Sequence, residues 1–405
     1  MNCRGCGYPI IKFISLGQMP LANSFLKKEQ IPLEKKYDLS VGFCPKCYLA
    51  QLMDTIPPEE LFSDYVYFSS TSDSFLKHCE ESASYLSKKL GLGKQSLVME
   101  IASNDGAQLQ FFKNLGIQVL GIDPAKNVAF VANQKGIPTI AEFFNFDFAN
   151  NLKNQKGITA DLVFGANVLA HVPQIVDFVK GVKKILKSKG SAVFEFPYVS
   201  GLMEGKFDTI YHEHVFYFSL IALVNLFKAA GLELYDVEIT PVQGGSLRIY
   251  VSLPGNFSIS ENVKNLVAQE IKNGFDKIET YQRVKEGAIK LKEKTLELLE
   301  GIKSRGEKIV AYSAPAKGNI LLNYFGIGKN YLDFIVDKSK AKQGLYAPGT
   351  HLQVHLLEKI YQEKPDYLLI LCWNIITEVI NMPELQEYKK DGGKFIVLIP
   401  QIKVI

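Results

Sequence analysis

Four consecutive residues in the middle of the chain have side chains suited to proton transfer. Tyr211, His212, Glu213 and His214 stand side by side, and three aromatic residues follow at 216–218. Such a run is costly to keep in a core, so it indicates a site. In an extended segment Tyr211 and Glu213 would point one way and the two histidines the other. One such segment can supply a base and the group that orients it. A His-x-His metal pair and a solvated loop are the alternatives.

Two Cys-x-x-Cys pairs, Cys3/Cys6 and Cys44/Cys47, lie near the start of the chain. Four thiolates on two tight turns satisfy tetrahedral Zn²⁺, and no open position for a water is implied. The pairs therefore predict a structural zinc site. Redox-active dithiols are the competing interpretation, but they usually come as a single pair. A zinc ribbon can also bind nucleic acid, but no stripe of basic and aromatic residues lies between the pairs.

A second group of candidate residues lies in and just after the run Leu97–Ile101, which is typical of a buried parallel strand. It comprises Glu100, Ala102, Asn104, Asp105 and Gly106. A strand that turns sharply into a helix leaves backbone N–H groups pointing at a ligand, and Asn104 tolerates the positive φ usually given to glycine. Asp123 ends the next predicted strand, where an acid accepts ribose hydroxyls. We predict a nucleotide-type cofactor here; an ordinary strand–helix turn is the alternative.

Further candidates lie at the carboxyl ends of later strands, where ligands bind in a doubly wound sheet. Phe143 follows a third strand predicted over 137–140 and could stack on an adenine. Asn167 and His171 follow a fourth strand predicted over 161–165, and we expect this turn to face the cofactor. Core packing is the alternative for Phe143, and a structural role for His171.

Candidate substrate residues come from three other places. Tyr65 and Tyr67 precede the cofactor strand and could cover a cleft, or else seal a domain junction. Arg248 follows two glycines that permit close backbone approach. Ser313 and Lys317 belong to a second strand–turn–helix unit, whose small residues and single lysine suit a phosphate group. The spacing of a P-loop is absent there.

The elements that must position these residues indicate an α/β fold. Alternating strand and helix patterns between 97 and 196 predict a right-handed parallel sheet. A charged, proline-free stretch over 261–305 predicts one or two helices leading to a second α/β unit. We therefore expect a small metal-binding domain over 1–75, a doubly wound domain over 76–252, and a helical linker with a second α/β domain over 253–405.

Composition limits the function classes. The chain has 405 residues, more than one core usually serves, and its net charge of +4 gives no case for nucleic acid or an anionic membrane. No run approaches the roughly 20 apolar residues of a membrane span, and the N-terminus has no apolar signal region. We expect a cytoplasmic protein whose cysteines are thiols or metal ligands, and a monomer as the simplest oligomeric state.

The chain resembles a known family, the S-adenosylmethionine-dependent C-methyltransferases of nucleotide-activated deoxysugars. The resemblance covers nearly the whole chain and is carried, in this order, by the four cysteines, EIASNDG, NVLAHV, YHEHVFYF, GGSLR and YSAPAKGN. It implies structural zinc in the first domain, a central class I methyltransferase domain that binds S-adenosylmethionine, and a C-terminal Rossmann-like domain that helps hold the nucleotide-sugar. It also implies His214 as the base, with Tyr211, Glu213, His171 and Tyr67 lining the sugar pocket.

Methylation of a sugar carbon requires that this carbon first lose a proton. Methyl transfer to carbon needs a carbanion equivalent, and a sugar C–H is acidic enough only beside a ketone, where deprotonation gives an enolate. An imidazole has a suitable pKa, so we predict that His214 takes the proton. Tyr211, His171 or His212 could donate hydrogen bonds to the oxyanion, and Glu213 could orient an imidazole or hold a sugar hydroxyl.

Other interpretations stay open. A nicotinamide-dependent nucleotide-sugar oxidoreductase would use two Rossmann units, but no G-x-G-x-x-G is present. A zinc-ribbon nucleic-acid methyltransferase is disfavoured by the small net charge. A methyltransferase that acts on oxygen or on another small-molecule acceptor would need no keto group.

Overall fold

The computed structural model describes residues 1–62, 68–71, 73–240 and 245–405, which form three β-sheets. The predicted α/β class is confirmed. Tyr65 and Tyr67, two of the predicted site residues, lie outside the described residues. Within the described ranges, no helix has the length and hydropathy of a membrane span.

The N-terminal region forms a small antiparallel sheet. Its elements are β1 (Ile11–Met19), β2 (Tyr37–Phe43), β3 (Ala50–Leu52) and helix α1 (Pro58–Phe62). The fourth strand of this sheet, Phe216–Tyr217, comes from the middle of the chain and pairs antiparallel with β3. Residues 211–214 lie directly before that strand, so the first sheet fixes where they stand.

The central region forms a seven-stranded sheet. The elements of this region are α2 (Asp73–Lys89), β4 (Leu97–Ile101), α3 (Leu109–Asn114), β5 (Gln118–Ile122), α4 (Lys126–Gln134), β6 (Thr139–Ile140), α5 (Phe146–Lys156), β7 (Ala160–Ala166), α6 (Ile175–Ile185), β8 (Leu186–Pro197), α7 (Ser200–Met203), β9 (Phe216–Tyr217), α8 (Leu220–Ala229), β10 (Glu233–Thr240) and β11 (Ser246–Ser252). The strand order in the sheet is β6–β5–β4–β7–β8–β11–β10, parallel except at β11, which runs antiparallel to both neighbours. The order reverses between β4 and β7, which is the point where doubly wound sheets bind ligands.

The strand predicted over 137–140 is shorter than expected. Only Thr139–Ile140 pair with β5. The Ile137 N–H instead donates to the Ala132 carbonyl at 2.9 Å and closes the end of α4. Local hydrogen bonding at a helix end therefore replaces the first half of the strand.

The C-terminal region forms a six-stranded sheet in the order β14–β13–β12–β15–β16–β17, parallel except for β17. The charged stretch before it forms two helices, which separate at Gly274, where φ is +76°. The elements are α9 (Glu261–Lys272), α10 (Ile278–Ser304), β12 (Ile309–Tyr312), α11 (Ala316–Phe325), β13 (Ile335–Val336), β14 (Val354–His355), α12 (Lys359–Glu363), β15 (Tyr367–Ile370), α13 (Ile376–Ile380), α14 (Gln386–Lys390), β16 (Lys394–Val397) and β17 (Lys403–Val404).

The first and last regions share one hydrophobic core. Tyr281 of α10 is fully buried and stacks on Phe43 of β2, with the ring centroids 4.5 Å apart, and Phe13 of β1 packs on the same ring. The central sheet has its own cores on its two faces. The predicted domain limits at 75 and 252 stay predictions, since the first sheet also contains a strand from the central region.

Candidate active site and zinc site

A cavity of about 980 Å³ lies at the carboxyl ends of β4, β5 and β7. It is positioned at the reversal of strand order, as expected for a ligand site in this architecture. Its lining includes several of the residues singled out in the sequence: Glu100, Ala102, Asn104, Asp123, Phe143, Asn167, His171, Tyr211 and His214.

The turn after β4 has an unusual backbone. Ala102 and Asn104 have φ of +59° and +50°, a region that glycine adopts most easily. The Ala102 N–H donates to the Ile122 carbonyl at 2.7 Å, and the Asn104 N–H donates to the Asp123 carboxylate at 2.8 Å. Asp123 also accepts the Ala125 N–H at 2.9 Å. Hydrogen bonds to the end of β5 and to Asp123 therefore hold the turn in its left-handed conformation.

Glu100 is a buried carboxyl group in the wall of the cavity. It is 4% exposed, and its Oε2 has no hydrogen-bond partner among the residues that the structure describes. Burial raises its pKa well above the usual value, and Asp123 and Asp105 raise it further. A buried carboxyl group that lacks a partner fits a cationic ligand, because such a ligand would stabilise its ionised form.

Two of the predicted cofactor residues do not reach the cavity wall. The Asp105 carboxylate pairs with Lys135 at 2.7 Å and accepts hydrogen bonds from the Ser70 hydroxyl and N–H. Gly106 packs under Ile137, and a Cβ on it would lie 3.1 Å from that side chain. Both residues shape the turn from behind the cavity.

Residues 211–214 form a tight turn, so the alternation of side chains that an extended segment would give does not occur there. The His214 N–H donates to the Tyr211 carbonyl at 2.9 Å, so both side chains lie on one side and line the cavity. The Tyr211 hydroxyl donates to His214 Nε2 at 2.7 Å, and His214 Nδ1 donates to the Thr209 carbonyl at 2.9 Å. A carbonyl can only accept, so Nδ1 carries the proton and the lone pair stands on Nε2.

His171 packs against the same imidazole. The two ring centroids are 4.9 Å apart with the rings nearly perpendicular. Burial lowers the pKa of His171 to about 4. Burial and the neighbouring His171 hold the pKa of His214 well below its usual value. Both rings are therefore neutral at neutral pH, and a neutral His214 has a lone pair available to accept a proton.

The other two residues of the run face the N-terminal region. Glu213 accepts a hydrogen bond from Asn23 Nδ2 at 2.6 Å, and burial raises its pKa to about 7 against the lowering effect of that bond. The His212 ring packs edge-on against Tyr37 at 5.9 Å, and burial lowers its pKa. Neither residue belongs to the cavity lining.

The remaining predicted substrate residues lie apart from the cavity. Arg248 is buried and pairs with Glu195 at 2.9 Å. Ser313 donates to Asp337 at 3.3 Å in the C-terminal turn. Lys317 Nζ lies 5.1 Å from the ring centroid of Trp373, and burial lowers its pKa while the nearby Asp208 acts in the opposite direction.

Sequence reasoning missed part of the cavity wall. The unpredicted lining residues include Glu59, Phe75, Gln108, Glu142, Gln174 and Asp177. Glu142 is adjacent to Phe143, and Gln174 directly precedes the helix after His171. Their position next to predicted site residues could have indicated that they line the cavity. Five carboxyl groups line the cavity, and no lysine or arginine does so among the residues that the structure describes.

The four predicted zinc ligands come together at the N-terminal end. Their sulfur atoms all lie within 4.8 Å of one another, and the Cys3–Cys47 and Cys6–Cys44 pairs are 3.5 Å apart. A tetrahedral zinc with Zn–S bonds of about 2.3 Å places its ligands about 3.8 Å apart, so the cluster fits this ion. Gln51 Nε2 donates to Cys3 Sγ at 3.1 Å, a bond that stabilises a thiolate.

Comparison with known proteins gives a full-length relative. The chain is 34% identical over 408 residues to the C-methyltransferase NovU of Streptomyces niveus, covering 100% of this chain and 96% of the relative. The chain belongs to this C-methyltransferase family. Family models match the enzyme in three regions: a zinc binding domain over 3–62, a methyltransferase domain over 75–237 and a C-methyltransferase C-terminal domain over 241–400. These findings confirm the predicted family, and the zinc binding model agrees with the cysteine cluster.

Solved structures resemble the C-methyltransferase only in part. The magnesium protoporphyrin IX methyltransferase of Synechocystis, with bound S-adenosylmethionine, is 13% identical and covers 44% of this chain and 79% of its own, with a TM-score of 0.34. An S-adenosylmethionine-dependent methyltransferase of Clostridium acetobutylicum is 11% identical and covers 46% and 94%, with a TM-score of 0.36.

Proposed function

We propose that this C-methyltransferase transfers a methyl group from S-adenosylmethionine to a carbon beside the keto group of a nucleoside-diphosphate hexose, most simply a thymidine-diphosphate keto-deoxyhexose. The observation that supports this most directly is the pairing of His214 with Tyr211 at the wall of the cavity. The same wall contains the β4–α3 turn with Glu100 and Asp123.

The charge of the cavity supports a cationic donor. S-adenosylmethionine carries a sulfonium and an ammonium group, and five carboxyl groups line the cavity. A ligand with these groups would meet the unpartnered Oε2 of Glu100, and ribose hydroxyls would meet Asp123. When bound, the sulfonium supplies an electrophilic methyl group.

The diphosphate of the acceptor belongs outside this acidic cavity. Lys206 and Lys317 both lie near the Trp373 ring, at 6.0 and 5.1 Å from its centroid, and Lys206, Trp373 and His214 line one small cavity. Lys317 lies in the first turn of α11, directly after the small residues of the C-terminal turn. Its charge contributes to lowering the pKa of His214. This arrangement supports a substrate whose anionic part lies against the C-terminal region while its sugar reaches the cavity.

The proton transfer follows from the hydrogen bonds of His214. The Thr209 carbonyl holds the Nδ1 proton, so Nε2 is the atom that removes the proton from the carbon next to the ketone. The Tyr211 hydroxyl leaves Nε2 and donates to the developing enolate oxygen, and the neutral His171 lies close enough to support the same charge. The enolate carbon would take the methyl group as the S–CH3 bond breaks and its electron pair stays on sulfur, which leaves a neutral thioether. His214 keeps the proton until it passes to solvent.

The test uses His214→Asn and, as a matched control, His355→Asn in the C-terminal sheet. The probe is a thymidine-diphosphate 4-keto-6-deoxyhexose. We expect His214→Asn to bind S-adenosylmethionine with normal affinity in calorimetry. It should lose methylation and lose deuterium incorporation at the sugar carbon in D₂O, by about 10²–10⁴-fold for loss of a general base.

His355→Asn should retain both activities. Unchanged deuterium exchange in His214→Asn would show that another group is the base. If the wild-type protein binds S-adenosylmethionine but neither methylates nor exchanges any of a panel of keto-sugar nucleotides, the proposed acceptor class is wrong.

A further inference from the structure

Glu213 is a buried carboxyl group whose surroundings the mechanism above does not explain. It is 7% exposed and stands between two neighbours in sequence that line the cavity, Tyr211 and His214. It does not orient the imidazole of His214, because His214 Nδ1 donates its hydrogen bond to the Thr209 carbonyl. Among the described residues its hydrogen-bond donor is the Asn23 amide, 2.6 Å from Oε1.

Asn23 reaches this carboxyl group from another part of the molecule. It lies just beyond β1, the strand that leads out of the zinc-binding region. The next residues turn back on themselves, since the Ser24 N–H donates to the Leu21 carbonyl at 3.1 Å. The amide therefore extends from a short, hydrogen-bonded loop, 190 residues away from Glu213 in sequence.

The C-terminal region fixes the same loop from the other side. The Ala22 carbonyl accepts a 2.8 Å hydrogen bond from Asn319, whose side chain is buried in α11. Leu26 and Tyr346 exchange two backbone hydrogen bonds, of 3.0 and 2.8 Å. All three regions of the chain thus meet at the loop of Asn23, and these hydrogen bonds restrain the position of its amide.

We propose that Asn23 is a positioning residue for methyl transfer, whose amide holds Glu213 and thereby the turn from which Tyr211 and His214 reach the cavity. The inference rests on the proposed function. An amide donor stabilises a carboxylate, and an anchored Glu213 restrains the backbone that carries the base and its hydrogen-bond donor. The N-terminal region would in this way help to orient the base.

The central experiment uses two variants. Asn23→Asp keeps the shape of the side chain but removes the amide donor, and Asn23→Ala removes the whole group. We expect both variants to lower kcat with the thymidine-diphosphate 4-keto-6-deoxyhexose roughly tenfold or more, the usual effect of losing a hydrogen bond to a charged group, while KM changes less. The dissociation constant for S-adenosylmethionine should not change. A double-mutant cycle with Glu213→Gln should show that the two losses are not additive, because both remove the same interaction.

A second measurement separates this inference from the acceptor proposal. The protein is labelled with ¹³C at the glutamate side-chain carboxyl carbons, and Glu213 is assigned by its absence in Glu213→Gln. Burial raises the pKa of Glu213 to about 7 and the Asn23 amide lowers it, so Asn23→Ala should raise this pKa further, by about one unit. This result does not depend on which acceptor the enzyme uses.

The matched control is His351→Ala. It removes the 2.9 Å contact with Glu34 between the same two regions without touching the loop of Asn23. We expect unchanged kinetics. An equal loss in His351→Ala, additive losses in the cycle, or an unchanged Glu213 pKa in Asn23→Ala would each overturn the assignment. Failure of the wild-type protein to use the probe, with the expected pKa change intact, would instead reject the proposed acceptor.

Discussion

The chain contains two strand–turn–helix units that are built alike. In each, the first residue after the strand has a positive φ, +59° at Ala102 and +68° at Ser313, and its N–H donates to the carbonyl that ends the neighbouring strand at 2.7 Å. In each, an acid follows that neighbouring strand and accepts N–H groups of the turn, Asp123 in one case and Asp337 in the other. The backbone solution is therefore the same.

The two turns differ in what surrounds that backbone. Glu100 faces the large cavity, whereas the corresponding place in β12 is occupied by Ala311. In the C-terminal turn, Lys342 Nζ donates to the Ala314 carbonyl at 2.9 Å, so a local cation occupies the position above the turn. The shared turn therefore supplies only geometry, and the buried carboxyl group and the open space beside the first turn are what fit a cationic ligand.

The largest expected contrast comes from removing the acid of each unit. Asp123→Ala leaves the backbone N–H groups of Asn104 and Ala125 without an acceptor, at about 1–3 kcal/mol each, and removes the predicted ribose contact. We expect S-adenosylmethionine to bind roughly 100-fold more weakly in calorimetry. Asp337→Ala removes equivalent bonds in the C-terminal turn and should leave this affinity unchanged. Equal losses in the two variants would show that the turns do not have separate roles.

A smaller effect concerns the proton on Glu100. Its pKa is raised in the ligand-free protein, so the group is protonated below that pKa. A cationic ligand favours the carboxylate, so binding of S-adenosylmethionine should release a proton, and affinity should rise with pH, by up to about tenfold per unit, until the free group ionises. Calorimetry in buffers of different ionisation enthalpy measures this release. Glu100→Gln should abolish it, and a release that persists in that variant would assign the proton elsewhere.

The local parts of this picture could be predicted from the sequence. Leu97–Ile101 and Gln118–Ile122 are strands with the expected bounds, because a short apolar run between turns has few other solutions. The acid Asp123 followed from its spacing to the first turn. The two Cys-x-x-Cys pairs likewise marked the metal cluster, since each knuckle is a local structure.

The long-range parts could not be predicted in this way. The turn at 211–214 forms because Phe216–Tyr217 pairs with β3, a strand far away in sequence, and no alternation pattern near His214 contains that information. Asn23 has no periodicity or motif of its own, and only the packing of three regions brings its amide to Glu213. The carboxyl-rich wall likewise comes from separate segments, such as Glu59 and Asp177.

The smallest predicted effects concern the left-handed residues themselves. Asn104 Oδ1 accepts the N–H groups of Ser69 and Asp105, both at 2.9 Å, and Ser69 lines the cavity. Asn104→Gly relieves the positive φ but loses these bonds, at about 1 kcal/mol, so S-adenosylmethionine should bind roughly fivefold more weakly. Ser313→Gly relieves a similar φ, and its side chain makes a long 3.3 Å bond to Asp337.

We therefore expect Ser313→Gly to change stability by less than about 1 kcal/mol and cofactor affinity not at all, because strain relief and the greater freedom of the unfolded chain nearly cancel. Thermal unfolding and calorimetry on the two variants measure both quantities. If Ser313→Gly weakens cofactor binding as much as Asn104→Gly does, the C-terminal turn must communicate with the cavity. The two units would then form one coupled site, whereas in the present geometry the C-terminal turn lies apart from the cavity.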